Sequence, residues 1–389
     1  MTEKLYWENA YEMKFSAQVI GIKEEGIILN KTLFYPESGN QASDRGEIII
    51  NNNKFEVNMV SKDGEDIMHH ITPDFKNKIK IGDKIDGQID WDYRYGIMKA
   101  HTSQHIFSAV FKTKLNIDTE RANLAFEEVF LSISQKIDYN QLKEILIEVN
   151  NICSSNNLKV NATVMSNKVA KKESAKIRSA IPDESNIRLM EIENLDLVCC
   201  GGTHIKNTIE IGKVYIYDFK KGNEIRYFVG NKALMMSSEN NINIIELANR
   251  INSPLEKAKK LIEKRLELLD NIQDQLKSLS IKYLESISKD PITVIGKLQL
   301  FYIDFNIDIK LLTKSLDNFP QNSLILVKFE EVKLRLLSLS EQIDSSTLIQ
   351  RLIQKFGGKG GGNPKSSQCF LESMPDNLIS ELVFLISND

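Results

Sequence analysis

Residues 199–204 read Cys-Cys-Gly-Gly-Thr-His, CCGGTH. Two of the chain's four cysteines and one of its five histidines fall within these six positions. Cys200 and His204 form a CxxxH pair, and Gly201-Gly202 leave the backbone free to wrap tightly around an ion. Cys199 points the other way if strand alternation continues to it, which makes it a small buried apolar residue.

Upstream, residues 101–105 read HTSQH. Histidines four apart on a helix share one face and can hold a metal between them. Taken singly, HxxxH and CxxxH also describe ordinary core or surface side chains. Together, His101, His105, Cys200 and His204 make a three-histidine, one-cysteine donor set suited to one zinc per chain. Thr102 stands where zinc peptidases of the HExxH type carry a glutamate base, so peptide hydrolysis by that route lacks its base. A substrate ester, with its better leaving group, needs less help. Four protein donors also fill a tetrahedral shell, the mark of a structural site. A catalytic zinc here requires five-coordination, a displaced His204, or a role in orienting substrate.

The rest of the chain falls into blocks of different pattern. Short alternating or apolar runs at 15–20, 26–33, 47–50 and 54–60, separated by turn residues such as Asn51-Asn52-Asn53, predict a small β-barrel over residues 1–90. Residues 91–236 mix helical spacing at 95–111 and 139–154 with strands at 123–133, 159–165, 188–198, 213–219 and 225–229, an α+β core. From 237 to 290 the chain is charged, leucine-rich and helical. Ser253-Pro254-Leu255-Glu256 reads as a capping box with proline at the first helical position. The stripe Ile262, Leu266, Leu269, Ile272, Leu276, Leu279 suits a coiled-coil linker, packed within the chain or in a homodimer. Residues 291–389 alternate strands and helices as a small α/β domain, with GGKGGGNP following a helix at 346–356. The fold class is α+β.

At 389 residues the chain is long enough for two or three domains. A net charge of −3 rules out a polycation that coats nucleic acid, so RNA contact must come from local patches such as 168–178, KVAKKESAKIR. MTEKLYWENA has no signal-peptide pattern, no apolar run is long enough to span a membrane, and isolated cysteines make no disulfide framework. The expected compartment is the cytoplasm, with no membrane and no DNA partner.

LFYPESGNQASDRGEI (33–48), HTSQH and RLMEIENLDLVCCGGTH (188–204) together resemble the free-standing editing half of alanyl-tRNA synthetase, the AlaX type. GGKGGGNP resembles the C-terminal, DHH-associated tRNA-binding domain of that synthetase, which makes this the long form. The resemblance implies a zinc-dependent trans-editing hydrolase of mischarged tRNA(Ala), chiefly seryl-tRNA(Ala) and also glycyl-tRNA(Ala). A pocket built for alanine rejects an added hydroxyl by only about a hundredfold, so a second site that hydrogen-bonds the hydroxyl is the remedy. The resemblance points to Gln104, Thr102, Ser38 and Gln41 as hydroxyl readers, and to Lys359, Gly360 and Gly361 as tRNA contacts. Where the family carries SGGQ this chain has Asn40, a residue that tolerates positive φ better than most. The alternative is a catalytically inactive zinc protein that holds tRNA.

Overall fold

The computed structural model describes residues 1–72, 75, 78–305 and 307–387. The chain is mixed α+β and divides into two compact units, Met1–Leu247 and Ala248–Asp389. Among the described residues no helix is long and apolar enough to cross a membrane.

The first unit opens with a closed barrel of six antiparallel strands. Around the barrel they run Lys14–Ile22, Gly26–Leu29, Asp66–Ile71, Asn53–Asp63, Gly46–Ile50 and Lys84–Ile89. Inward residues such as Val19, Leu29, Ile48, Val57 and Ile85 fill it, and closure leaves no free strand edge. Asp90 then caps the helix Trp91–Leu115 by accepting a hydrogen bond from Tyr93 N, and Asn116 ends it in the left-handed conformation. This central helix is buried over most of its length. Its Phe107 and Phe111 pack among Val129, Leu131 and Tyr227 of the sheet formed by Thr119–Ala125, Glu128–Ile133, Val214–Lys220 and Glu224–Val229. Its Arg94 reaches back to the barrel's Asp44, and both side chains are fully buried.

Two stretches that read as single strands are hairpins. Residues 123–133 turn at Phe126-Glu127, where Glu127 takes φ 51°. Residues 188–198 turn at Asn194, giving Asn186–Ile192 paired with Asp196–Cys199. Period-two alternation survives such turns, which hides them.

The second unit begins with the end of the helix Gly230–Arg250 and the long helix Leu255–Ile287. Pro254 occupies the cap position itself, and the Ser253 hydroxyl donates to Pro254 O, so the expected capping box does not form. A six-stranded sheet follows, in the order Thr293–Ile295, Leu298–Ile303, Ser323–Lys328, Lys333–Ser338, Ser366–Phe370, Lys359–Asn363. Alternate residues feed opposite faces. Leu300 and Leu326 meet the helices Ser345–Phe356 and Leu378–Ser387, while Phe301 and Ile325 meet Leu284 and Leu312. Lys359–Asn363 of the glycine-rich stretch form the edge strand of this sheet.

Candidate metal centre

The central helix presents His101 and His105 one turn apart, and the segment leaving the Asp196–Cys199 strand brings Cys200 and His204 to them. One donor atom from each of the four lies within 4.8 Å of the other three. Cys200 Sγ is 3.4 Å from His101 Nε2 and 3.3 Å from His204 Nε2. Donors about 2.0–2.3 Å from a tetrahedral zinc stand roughly 3.3–3.8 Å apart, so these spacings suit one small ion.

The outward nitrogens of His101 and His204 are held by the protein. His101 Nδ1 lies 2.7 Å from Gln41 Oε1, which also accepts from Thr203 N at 3.1 Å, while Gln41 Nε2 donates to Thr203 Oγ1 at 2.9 Å. Thr102 Oγ1 donates to Met98 O at 3.0 Å and so accepts from His204 Nδ1 at 3.1 Å. His105 Nδ1 stands 3.9 Å from Asp196 Oδ2, on a carboxylate that Arg178 grips with two bonds of 2.7 Å. Such outer partners fix the tautomer that turns Nε2 toward an ion.

The electrostatics favour neutral imidazoles, the form that binds metal. Burial pushes His105 down to about 3, helped by Arg178 and Arg188. Burial and the neighbouring histidines hold His101 and His204 well below the usual range. Burial raises the Cys200 thiol, against the Gly202 N–H and Arg188, so a bound cation would have to draw off its proton.

Two glycine-dependent features shape the approach. Gly39 and Asn40 both take positive φ, 59° and 65°, and close a tight turn between Ser38 and Gln41 that aims the Gln41 side chain inward. A Cβ on Gly202 would stand 2.3 Å from His101 Cε1 and 2.6 Å from Gln41 Oε1, so only glycine fits there. Cys199 faces away, half-buried against the cluster of Ala170, Ile177, Ile187 and Leu189.

The residues singled out as hydroxyl readers are placed unequally. Thr102 and Gln41 are buried, with their polar atoms engaged by the protein as described. Gln104 donates from Nε2 to Ser108 Oγ at 2.8 Å, and its carbonyl oxygen has no partner among the described residues. The Ser38 hydroxyl has no partner among the described residues. Lys359, Gly360 and Gly361 lie on the edge strand of the second unit. Arg188, Asp196 and Arg178 were missed. The available signal was a lone charge in an apolar run, Ile187-Arg188-Leu189-Met190, which marks a buried cation with work to do.

Residues 187–227 match the family described as threonyl and alanyl tRNA synthetase second additional domain, and residues 5–93 match tRNA synthetases class II (A). The chain is 33% identical over 242 residues to alanyl-tRNA editing protein AlaX-M of Methanosarcina acetivorans, covering 59% of this chain and 98% of that protein. The chain belongs to the alanyl-tRNA editing proteins. A longer editing protein, AlaX-L of Pyrococcus horikoshii, is 26% identical over 400 residues, covering 97% of this chain and 96% of its own. Alanine–tRNA ligase of Saccharolobus islandicus is 31% identical over 300 residues, and the match spans only 33% of that enzyme.

Proposed function

We propose that this editing protein is a zinc-dependent deacylase that frees tRNA(Ala) from a wrong amino acid, chiefly serine and also glycine. The observation that carries the reading is the convergence of His101, His105, Cys200 and His204 on one point, in a chain whose relatives are named for alanyl-tRNA editing. The donor set, one thiolate and three neutral imidazoles, suits zinc above harder cations. Zinc would supply a Lewis acid able to polarise an ester carbonyl or hold the substrate's amino group. Gln41 and Thr102 are better suited to positioning His101 and His204 than to reading substrate, because their hydrogen-bonding capacity is spent. That leaves Gln104 and Ser38 as the hydroxyl readers.

The ester linkage fits what the site lacks. Asp196 is the carboxylate beside His105, and Arg178 occupies it, so Asp196 is not a free general base of the peptidase kind. An ester tolerates that absence better than an amide.

For the rest of the chain the proposal follows the pattern blocks: a barrel over 1–90, the editing core over 91–236, a coiled-coil linker over 237–290 and a DHH-associated tRNA-binding domain over 291–389. Support for tRNA contact at Lys359, Gly360 and Gly361 is their position on a sheet edge, whose backbone groups are open to a phosphate. Support for a homodimer is the stripe on the long helix, where Leu266, Leu276 and Leu279 are each more than half exposed. The cytoplasm, where tRNA is charged, is the proposed compartment.

A filled four-donor shell favours a second reading, an inactive zinc protein that only holds tRNA. Release of serine from seryl-tRNA(Ala), with and without a chelator, separates the two. The deacylase reading expects release that stops on chelation and returns with zinc; no release by the zinc-loaded chain leaves the binding reading.

A further inference from the structure

Arg188 lies in the strand Asn186–Ile192, and it is 6% exposed. Its Nη1 donates to Cys200 O at 2.9 Å and to Gly202 O at 2.8 Å, pinning the turn that carries Cys200. The opposite edge of the guanidinium is unused. Nε is buried with no hydrogen-bond partner, Nη2 makes no hydrogen bond among the described residues, and no carboxylate there pairs with this cation. Burial works against the charge of Arg188, and the nearby Cys200 works for it.

A buried cation that no carboxylate among the described residues pairs with is costly to keep. The Nε–Nη2 edge is the one that grips two oxygens of a planar or tetrahedral anion side by side. Arg188 also lines a cleft of about 410 Å³, together with His204, Trp7, Lys159 and Lys206. Trp7 is half-buried there, its indole Nε1 bonded to Gly201 O at 2.9 Å, so its ring is fixed. Lys206 Nζ sits 4.5 Å above the Tyr11 ring. A fixed aromatic face beside cations is the chemistry that receives a nucleotide.

We propose that this cleft takes the 3′-terminal nucleotide of the tRNA, with its phosphodiester on the free edge of Arg188 and its base against Trp7. The inference rests on the reading that the substrate is an aminoacyl-tRNA. It gives the site what the metal donors do not: a reason for the ester to arrive at His204 in one orientation. Arg188 thus has two duties, holding the Cys200–Gly202 turn and holding the substrate's phosphate.

The test compares adenosine 5′-monophosphate with adenosine, by calorimetric titration of the zinc-loaded full chain at low salt. The monophosphate is expected to bind about tenfold more tightly, the gain of one charge-assisted contact. That preference should fall below about twofold in Arg188→Met, with Arg188→Lys in between because it keeps the charge and loses the fork. Equal affinities in the parent overturn the proposal, as does a preference that survives Arg188→Met. Zinc content is measured on each variant, and a variant that binds neither probe leaves the parent ratio to decide. Serine release from seryl-tRNA(Ala) is scored separately. Hydrolysis without a phosphate preference removes the subsite and keeps the deacylase; a phosphate preference without hydrolysis keeps the subsite and removes the deacylase.

Discussion

Gly202 and Gly201 are neighbours in one motif, yet only one of them has no room to change. A methyl on Gly202 would overlap His101 and Gln41, whereas at Gly201 the nearest atoms are those of Trp7, at 3.8 Å. Gly202→Ala should therefore push His101 off its position and strip most of the metal, while Gly201→Ala keeps it, as zinc analysis of the purified variants would show. Equal zinc in both would mean that His101 is no ligand. At Gln104 the expectation concerns selectivity. Its carbonyl, without a partner among the described residues, can accept a hydrogen bond from a serine hydroxyl that alanine lacks, worth roughly 1–3 kcal/mol in a dry pocket. Gln104→Leu should narrow the ratio of seryl- to alanyl-tRNA hydrolysis about tenfold with zinc content unchanged. An unaltered ratio would leave Ser38 as the reader.

At the scale of elements, the central helix is tied to the barrel by Arg94. Its Nε donates to Asp44 Oδ1 at 2.7 Å, and it also serves Leu33 O at 2.6 Å and Ala10 O at 3.0 Å. Arg94→Met takes the cation away from the buried Asp44 carboxylate, leaving it the Tyr35 N–H, and should cost about 3–5 kcal/mol in denaturant unfolding. The double change Arg94→Met with Asp44→Leu should recover part of that loss; no recovery would mean that the bonds to Leu33 O and Ala10 O matter more than the charges. Within the barrel, His69 is fully buried between Thr32 Oγ1 at 2.8 Å and Ile27 O at 3.3 Å, and burial lowers it to about 4. Unfolding frees it to take a proton near pH 6.5, so its contribution is present above that pH and drains away as pH falls toward 4. Between pH 6.5 and 4 the parent should lose about 3 kcal/mol more stability than His69→Gln, measured by urea unfolding at each pH; parallel curves would exclude His69. These ties show what a sequence displays and what it hides. The histidine pair, the cysteine and the barrel's alternation are periodic or local, and they were readable. Gln41 as the partner of His101 was not, because the contact spans 60 positions and depends on a turn at Gly39-Asn40. GGKGGGNP does not show itself as a strand because glycine carries no side chain to mark alternation, and only pairing with Ser366–Phe370 makes Lys359–Asn363 one.

For the whole molecule, the division at Leu247 places the barrel and every candidate ligand in one unit. A chain ending at Leu247 should fold and hold about one zinc, and its KM for seryl-tRNA(Ala) should rise more than its kcat falls. An unchanged KM would assign residues 248–389 to assembly and not to RNA binding. The ligand pairs themselves come from distant parts of that unit: His101 is 103 positions ahead of His204. On a ribosome adding about 5–20 residues per second, the first pair is made roughly 5–20 s before the second. During that interval all six barrel strands have been synthesised, and the histidine pair is still without its partners. The four-donor set is therefore incomplete until the second pair is made, long after the last barrel strand, Lys84–Ile89, has been synthesised.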